Sequence, residues 1–189
     1  MNIFINTIST PAKLIIFDSN RIIIDEFEWD IKWNESSTLI PKIDELIKKN
    51  NLEYKDLENM VVINWPGSFT WIRTTVLAVN TINYIINKNI TALGYFDLFD
   101  NYPIVKSSSK RDFFVKFDKN SDIEIIENEK LINILIGKNI NNIYWESDNN
   151  IFDNIKIVEK IDYLSIIKDI KFSKAKQIQA LYIKKPNIS

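Results

Sequence analysis

The sequence predicts an α/β protein of two lobes, each a mixed β-sheet flanked by helices. Three runs of strand length near the N-terminus are joined by short polar turns, which predicts an antiparallel meander. A buried strand and a long helix follow at 60–87, and a second meander follows Pro103. Because the composition shifts between Gly94 and Pro103, we place the boundary there, with an N-terminal lobe at 1–94 and a smaller C-terminal lobe at 95–189.

The first three strands are predicted at 2–6, 12–17 and 21–29, each rich in apolar and β-branched residues. Polar turns at 7–11 and 18–20 connect them. The same opening occurs in the actin-like ATPase and RNase H-like folds, where the first turn holds phosphate or an acidic metal ligand. The meander therefore favours that fold class.

A first helix is predicted at 36–50 from apolar residues that recur at helical spacing. These residues are Leu39, Ile40, Ile43, Leu46 and Ile47. Pro41 must lie near the start of this helix, because in mid-helix it would remove a hydrogen bond and clash with the preceding turn.

The second helix, predicted at 69–87, follows a buried strand at 60–63 and differs from the first in its apolar pattern. Ser68 can cap its start. Its apolar residues cover about half of the circumference. One side carries Phe69, Ile72, Val76, Val79 and Ile86, and the adjacent side carries Trp71, Thr75, Ala78, Ile82 and Ile85. One side can face the sheet, whereas the other needs cover from this chain or from a partner.

The remaining elements are shorter. Strands are predicted at 90–93, 104–108, 113–117, 123–126, 143–145, 155–158 and 179–184, and helical segments at 95–102, 128–136 and 162–170.

Composition excludes several kinds of catalytic site. The 189 residues include no Cys and no His, which excludes thiolate catalysis, Ser-His-Asp chemistry and most zinc sites. The formal net charge is −1 and no basic stripe is visible, so we expect the chain alone to bind tRNA weakly. The N-terminus lacks the basic region of a leader peptide, and no apolar run approaches about 18 residues. We therefore expect a cytoplasmic protein without a membrane contact.

One turn carries a family resemblance. Residues 66–70 read Pro-Gly-Ser-Phe-Thr, with Arg73 three positions on. They resemble the Gly-Pro-Gly-Ser-Phe-Thr-Gly-x-Arg signature of the TsaB (YeaZ) family, whose members are non-catalytic partners in making threonylcarbamoyladenosine in tRNA. Residues 37–46 resemble the family's Leu-Leu-Pro helix, and residues 180–184 resemble its closing Pro-x-Tyr-Leu-Arg. The motif-turn residues are Pro66, Gly67, Ser68, Phe69, Thr70 and Arg73.

The resemblance implies a scaffold that binds the catalytic subunit TsaD, with an ATPase called TsaE acting through the complex and tRNA contacted only indirectly. It places the metal-binding histidines in TsaD, and it implies no catalytic residue, cofactor or metal in this chain. It also implies a helix-bundle contact through both long helices. The predicted interface residues are Pro41, Trp71, Thr74, Thr75, Ala78, Ile82 and Ile85.

The chain departs from the family pattern at four places. Asn6 stands where the first strand usually ends in Asp, and an amide cannot replace a carboxylate as cation ligand or general base. We interpret Asn6 as the cap of a turn. Glu35 stands where a His is usual, and its role stays open. Trp65 and Trp71 replace two glycines, so we favour a structural turn over an anion-binding one.

Other interpretations remain open. Arg73 is either an ion-pairing residue or a solvated surface cation, and residues 107–112 are interpreted as a polar hairpin loop. A small-molecule kinase or a peptidase on the same fold is the enzymatic alternative, against which Asn6 and the presence of only 3 glycines count. A stand-alone homodimer is the third possibility, because one helical face could bind either partner.

Overall fold

The protein was analysed as a computed structural model that describes residues 1–30, 37–144, 155–158 and 161–182. Glu35, residue 145 and residues 183–184 of the predicted elements lie outside the described residues. The chain forms two compact units. The first comprises Met1–Tyr95 together with Leu164–Ser189, and the second comprises Phe96–Tyr163.

The first unit is built on a five-stranded mixed sheet. Its strands are β1 (Asn2–Asn6), β2 (Ala12–Phe17), β3 (Ile23–Trp29), β4 (Asn59–Trp65) and β5 (Asn89–Gly94), in the order β3-β2-β1-β4-β5. β1 is antiparallel to β2 and parallel to β4, so it stands at the change from meander to parallel sheet. Every residue of β1 and β2 is buried. The predicted meander and mixed sheet are confirmed.

Two helices accompany this sheet. Helix α1 (Leu39–Lys49) packs on β2 and β3, and helix α2 (Phe69–Ile86) packs on β4 and contacts α1. Pro41 lies in the first turn of α1, where its missing N–H has no helical partner to lose. The bounds predicted for α2 are correct to within one residue, and Asn87 ends the helix in the left-handed conformation at φ 51°.

The second unit has its own five-stranded sheet and core. Its elements are β6 (Ile104–Ser107), β7 (Asp112–Lys116), β8 (Glu124–Glu127), α3 (Asn128–Gly137), β9 (Asn142–Tyr144) and β10 (Lys156–Val158). The strand order is β10-β9-β6-β7-β8, and β6, β7 and β8 form the predicted second meander. Core residues Val105, Phe113, Leu131 and Leu135 pack α3 on this sheet. Helix α4 (Tyr163–Asp169) begins at the unit boundary.

The structure corrects the predicted lobes and two predicted elements. Residues 164–189 belong to the first unit, not to a C-terminal lobe of 95–189, because Ala175 forms an antiparallel bridge with Ile90 of β5. The predicted helix at 95–102 is a single 3₁₀ turn, Tyr95–Leu98. Residues 179–182, the described part of the predicted last strand, are not in a strand. The carbonyl of Gln179 accepts from the Asn64 side chain at 2.9 Å rather than from a neighbouring strand.

Candidate functional site

The motif turn between β4 and α2 is closely packed at two glycines, Gly67 in the turn itself and Gly94 at the end of β5. A Cβ on Gly67 would lie 2.9 Å from Cγ2 of Ile8, so glycine is what lets the turn approach that side chain. A Cβ on Gly94 would lie 2.7 Å from Cε2 of Trp65, so the Trp65 indole occupies the space beside β5. Side chains thus pack closely at both Gly67 and Gly94.

Ser68 does not cap α2 with its side chain, and that expectation is wrong. Its carbonyl accepts from the backbone N–H of Ile72 at 3.0 Å, and its side chain is exposed. Arg73 is exposed one turn further on, with its guanidinium carbon 5.2 Å from the centre of the Phe69 ring. Within the described ranges Arg73 forms no salt bridge, so its predicted ion pair is not made inside this part of the chain.

The turn after β1 is closed by the side chain of Asn6, which is fully buried. The Asn6 Oδ1 accepts from the backbone N–H groups of Ile8 and Ser9 at 3.1 and 3.2 Å, and its Nδ2 donates to the Ser9 Oγ at 2.7 Å. The interpretation of Asn6 as a turn cap is confirmed. A residue engaged in this way serves the turn and leaves its oxygen no role toward a cation.

The next residue ties this turn to α2. Thr7 Oγ1 and Thr75 Oγ1 share a hydrogen bond of 2.6 Å, and both residues are almost fully buried. The turn after β1 is therefore closed by the Asn6 amide and by the Thr7–Thr75 pair. Among the described residues, no group of three or more His, Cys, Asp or Glu side chains is placed to hold a metal ion.

Most of the predicted interface on α2 is internal to the chain. Trp71, Thr75, Ala78 and Ile82 are 8%, 0%, 6% and 8% exposed. The expectation that these four residues face a partner is wrong, because the contact of α2 with α1 and the sheet covers them. Of the remaining predicted interface residues, Thr74 is half-buried, and Pro41 and Ile85 are exposed.

The exposed apolar side chains of α2 lie on a different face, of which the predicted interface included only Ile85. We call it the outer face, and it consists of Phe69, Arg73, Leu77, Thr81, Tyr84 and Ile85. Leu77, Tyr84 and Ile85 are 69%, 87% and 79% exposed, and Phe69, expected on the sheet side, is 37% exposed. The signal was present in the sequence, because positions 69, 73, 77, 81 and 84–85 recur at helical spacing on one side of α2.

A groove of about 550 Å³ lies between the first turns of α2 and residues 173–182, which we call the C-terminal segment. The Tyr182 ring packs on the Phe69 ring with 4.8 Å between their centres. Asn80 binds the segment at two points, donating to the Ile178 carbonyl at 2.9 Å and accepting from the Ile178 N–H at 3.1 Å. Asn83 donates to the Lys176 carbonyl at 2.7 Å. The groove wall is thus fixed by side-chain amides.

The loop at 107–112 is the polar hairpin that the sequence predicts. Ser109 Oγ donates to Asp112 Oδ1 at 2.7 Å, and the backbone N–H of Arg111 donates to the same hydroxyl at 3.1 Å. The Asp112 carboxylate thus accepts a hydrogen bond within the loop, which is a structural role for this residue.

The strand order and the two mixed sheets define a two-unit α/β protein. Within that class the fold is like that of YeaZ, the TsaB protein. A crystal structure described as an uncharacterized protein with similarity to the peptidase YeaZ from Pseudomonas aeruginosa matches with a TM-score of 0.67 and 8% identity, over 97% of this chain and 99% of that one. YeaZ from Pseudomonas aeruginosa matches with a TM-score of 0.54 and 9% identity.

The match to Pseudomonas YeaZ spans 67% of this chain and 64% of the YeaZ chain, which is less than two thirds of its length. No protein-family model and no curated protein matches the sequence. At identities of 8% and 9% the likeness establishes the fold. In the described part of the chain, no helix has the length and apolar character needed to cross a membrane.

Proposed function

We propose that the chain is a non-catalytic, cytoplasmic TsaB-like scaffold subunit that binds a TsaD-type transferase in tRNA threonylcarbamoyladenosine modification. The YeaZ-like fold over 97% of the chain supports the assignment to this kind of subunit. The TsaE-like ATPase engages it only through the complex. A net charge of −1 supports an indirect role for tRNA.

The outer face of α2 carries this proposal. Leu77, Tyr84 and Ile85 are large apolar or aromatic side chains that stay mostly in water in the isolated chain. Single exposed apolar residues are common, but a row of them on one helix is typical of a protein contact. Tyr is also among the residues that dominate binding energy in interfaces. On α1, Ile40 at 43% exposure and Pro41 are further exposed apolar side chains.

The β1–β2 turn supports the non-catalytic part of the proposal. Asn6 is committed to the turn, and the hydroxyl of Thr7 is paired with Thr75. A kinase or peptidase on this fold would need a reactive or phosphate-binding group in that place. We therefore expect the purified chain with ATP and Mg²⁺ to show no turnover above buffer. A turnover that disappears in the Thr7→Val or Ser68→Ala variant would favour the enzyme instead.

The partner proposal is tested by co-purification and calorimetry with the TsaD-type transferase encoded in the same genome. We expect Ile85→Arg to weaken binding by more than about 2 kcal/mol, because it places an unpaired charge in the contact. Tyr84→Ala is expected to weaken binding by about 2 kcal/mol. Both variants should melt like the parent, since both side chains are exposed.

Ile136→Arg is the matched control, because Ile136 of α3 is also an exposed isoleucine, at 61%, but lies in the second unit. It should bind like the parent. Equal binding by Ile85→Arg and Ile136→Arg would remove the outer face from the interface. Sedimentation of the chain alone decides the homodimer alternative, in which Ile85→Arg would turn a dimer into a monomer.

A further inference from the structure

The groove includes part of the outer face, and Arg73 is the one charged residue among those that line it. Arg73 is the single charged residue between Glu58 and Lys88 in the sequence. The groove is lined by Phe69, Thr70, Arg73, Thr74, Val76, Leu77, Asn80, Ala180 and Tyr182. Its lining is therefore apolar and aromatic, with a few neutral polar groups and one guanidinium.

The position of the guanidinium leaves its donor edge available to a ligand. The Arg73 guanidinium lies over the Phe69 ring, with 5.2 Å between its carbon and the ring centre. The Arg73 side chain is exposed, and a guanidinium presents planar N–H groups that a carboxylate can meet in two parallel hydrogen bonds. A neutral apolar surface laid over Arg73 would instead bury an unpaired charge, which is strongly unfavourable.

The shape of the groove favours a protein segment over a small molecule. Phe69 and Tyr182 are 37% and 41% exposed and Leu77 is 69% exposed, so the groove is open rather than enclosing. Along α2 it extends from Phe69 to Asn80, about 16 Å at 1.5 Å per residue. That length accommodates about five residues of extended peptide. The amide pairing of Asn80 with Ile178 holds the opposite wall in place.

We propose that this groove receives an acidic segment of the transferase partner, in which a carboxylate pairs with Arg73 and an adjacent apolar side chain packs between Leu77 and Tyr182. This inference rests on the proposed function for the identity of the partner. It adds a specific ion pair and a second contact region, distinct from the contact made by Tyr84 and Ile85.

Calorimetry with the same-genome transferase tests the groove directly. Arg73→Glu should weaken binding more than about tenfold, because it places two carboxylates against each other. The affinity of the Arg73→Lys variant should lie between that of Arg73→Glu and that of the parent. The lysine ammonium keeps the charge but lacks the planar donor groups of the guanidinium. Lys174→Glu is the matched control, since it reverses an exposed charge of the C-terminal segment outside the groove. Thermal melts establish that each variant is folded.

The decisive experiment exchanges the charges of Arg73 and its acidic partner residue. Single Asp→Lys or Glu→Lys changes in the transferase are screened against Arg73→Glu, and one of them should restore at least part of the lost affinity. No binding by the parent chain would overturn both the proposed function and this inference. Binding by the parent with equal affinities for Arg73→Glu and Lys174→Glu would overturn the groove alone. A change in self-association with unchanged transferase binding would assign the groove to a second copy and overturn the proposal.

Discussion

The β1–β2 turn and the outer face of α2 distribute polar and apolar atoms in opposite ways. At the turn, Asn6, Thr7 and Ser9 are polar and are 0%, 1% and 0% exposed. On the outer face, Leu77 and Tyr84 are largely apolar and are 69% and 87% exposed. Each region therefore reverses the usual tendency of soluble proteins to bury apolar groups and solvate polar ones.

The two regions differ in whether their side chains contact the rest of the chain or the solvent. The buried polar groups at the turn are satisfied by one another, so they stabilise the fold. The described residues of the first unit leave Leu77 and Tyr84 mostly exposed, and a row of exposed apolar side chains is typical of a protein contact. Three predictions test this comparison at sites that range from fully buried to partly exposed.

The largest effect is expected for Asn6→Ala. The change removes the acceptor for the N–H groups of Ile8 and Ser9 and the donor to the Ser9 hydroxyl, all in a buried site. We expect the free energy of unfolding to fall by about 3 kcal/mol, because buried donors left unpaired are costly. Urea denaturation measures this, with Asn20→Ala at an exposed turn as the control. Equal stability of the two variants would mean that the Asn6 bonds do not support the turn.

A smaller effect is expected for Thr75→Val, which leaves the Thr7 hydroxyl buried without its 2.6 Å partner. The free energy of unfolding should fall by about 2 kcal/mol. The double variant Thr7→Val, Thr75→Val should recover part of this loss, since no unpaired hydroxyl remains. A double-mutant cycle measures the coupling, and strictly additive losses would argue against a hydrogen bond between the two threonines.

The smallest effect is expected at Asp25 of β3, whose side chain is 19% exposed. Its carboxylate forms an ion pair with Lys49 of α1. The hydrogen bond from Lys49 lowers the pKa of Asp25 below its ordinary 3.8, with burial opposing and Asn50 adding to the effect. The stabilisation is therefore present above pH 3.8 and is lost as the pH falls through the lowered pKa.

Asp25→Asn should cost no more than about 1 kcal/mol at pH 7 and less at pH 3. Unfolding in urea at the two pH values measures the difference, with Glu45→Gln, at a more exposed ion pair with Lys42, as the control. A loss that is the same at both pH values would assign the effect of Asp25→Asn to packing rather than to charge.

Much of the fold could be predicted from the sequence, because its signals are local. The bounds of β1 and β2 are correct to the residue, since polar turns end both apolar runs. The path of the C-terminal segment could not be predicted, because Asn80 and Ile178 are 98 residues apart and join through a side chain rather than a strand pattern. A buried amide such as Asn83 in an apolar helix does indicate that some backbone partner exists.

The candidate surface that we propose lies on the same helix as the predicted interface but largely on a different face. Periodicity shows that the apolar arc of α2 is too wide for one sheet face, and that inference holds. Which part of the arc is covered depends on where α1 and the sheet contact α2, as the burial of Trp71 and Ala78 shows. Ile85 was predicted at the surface, whereas Tyr84 was not.

The return of the C-terminal segment to the first unit affects the order in which the protein can fold during translation. Residues 176–179 provide the backbone partners of Asn64, Asn80 and Asn83, and they are synthesised after the whole second unit. On a ribosome, the second unit at 96–163 can therefore fold before the first unit is complete. A released chain truncated after residue 172 should accordingly protect the second unit from protease better than α2.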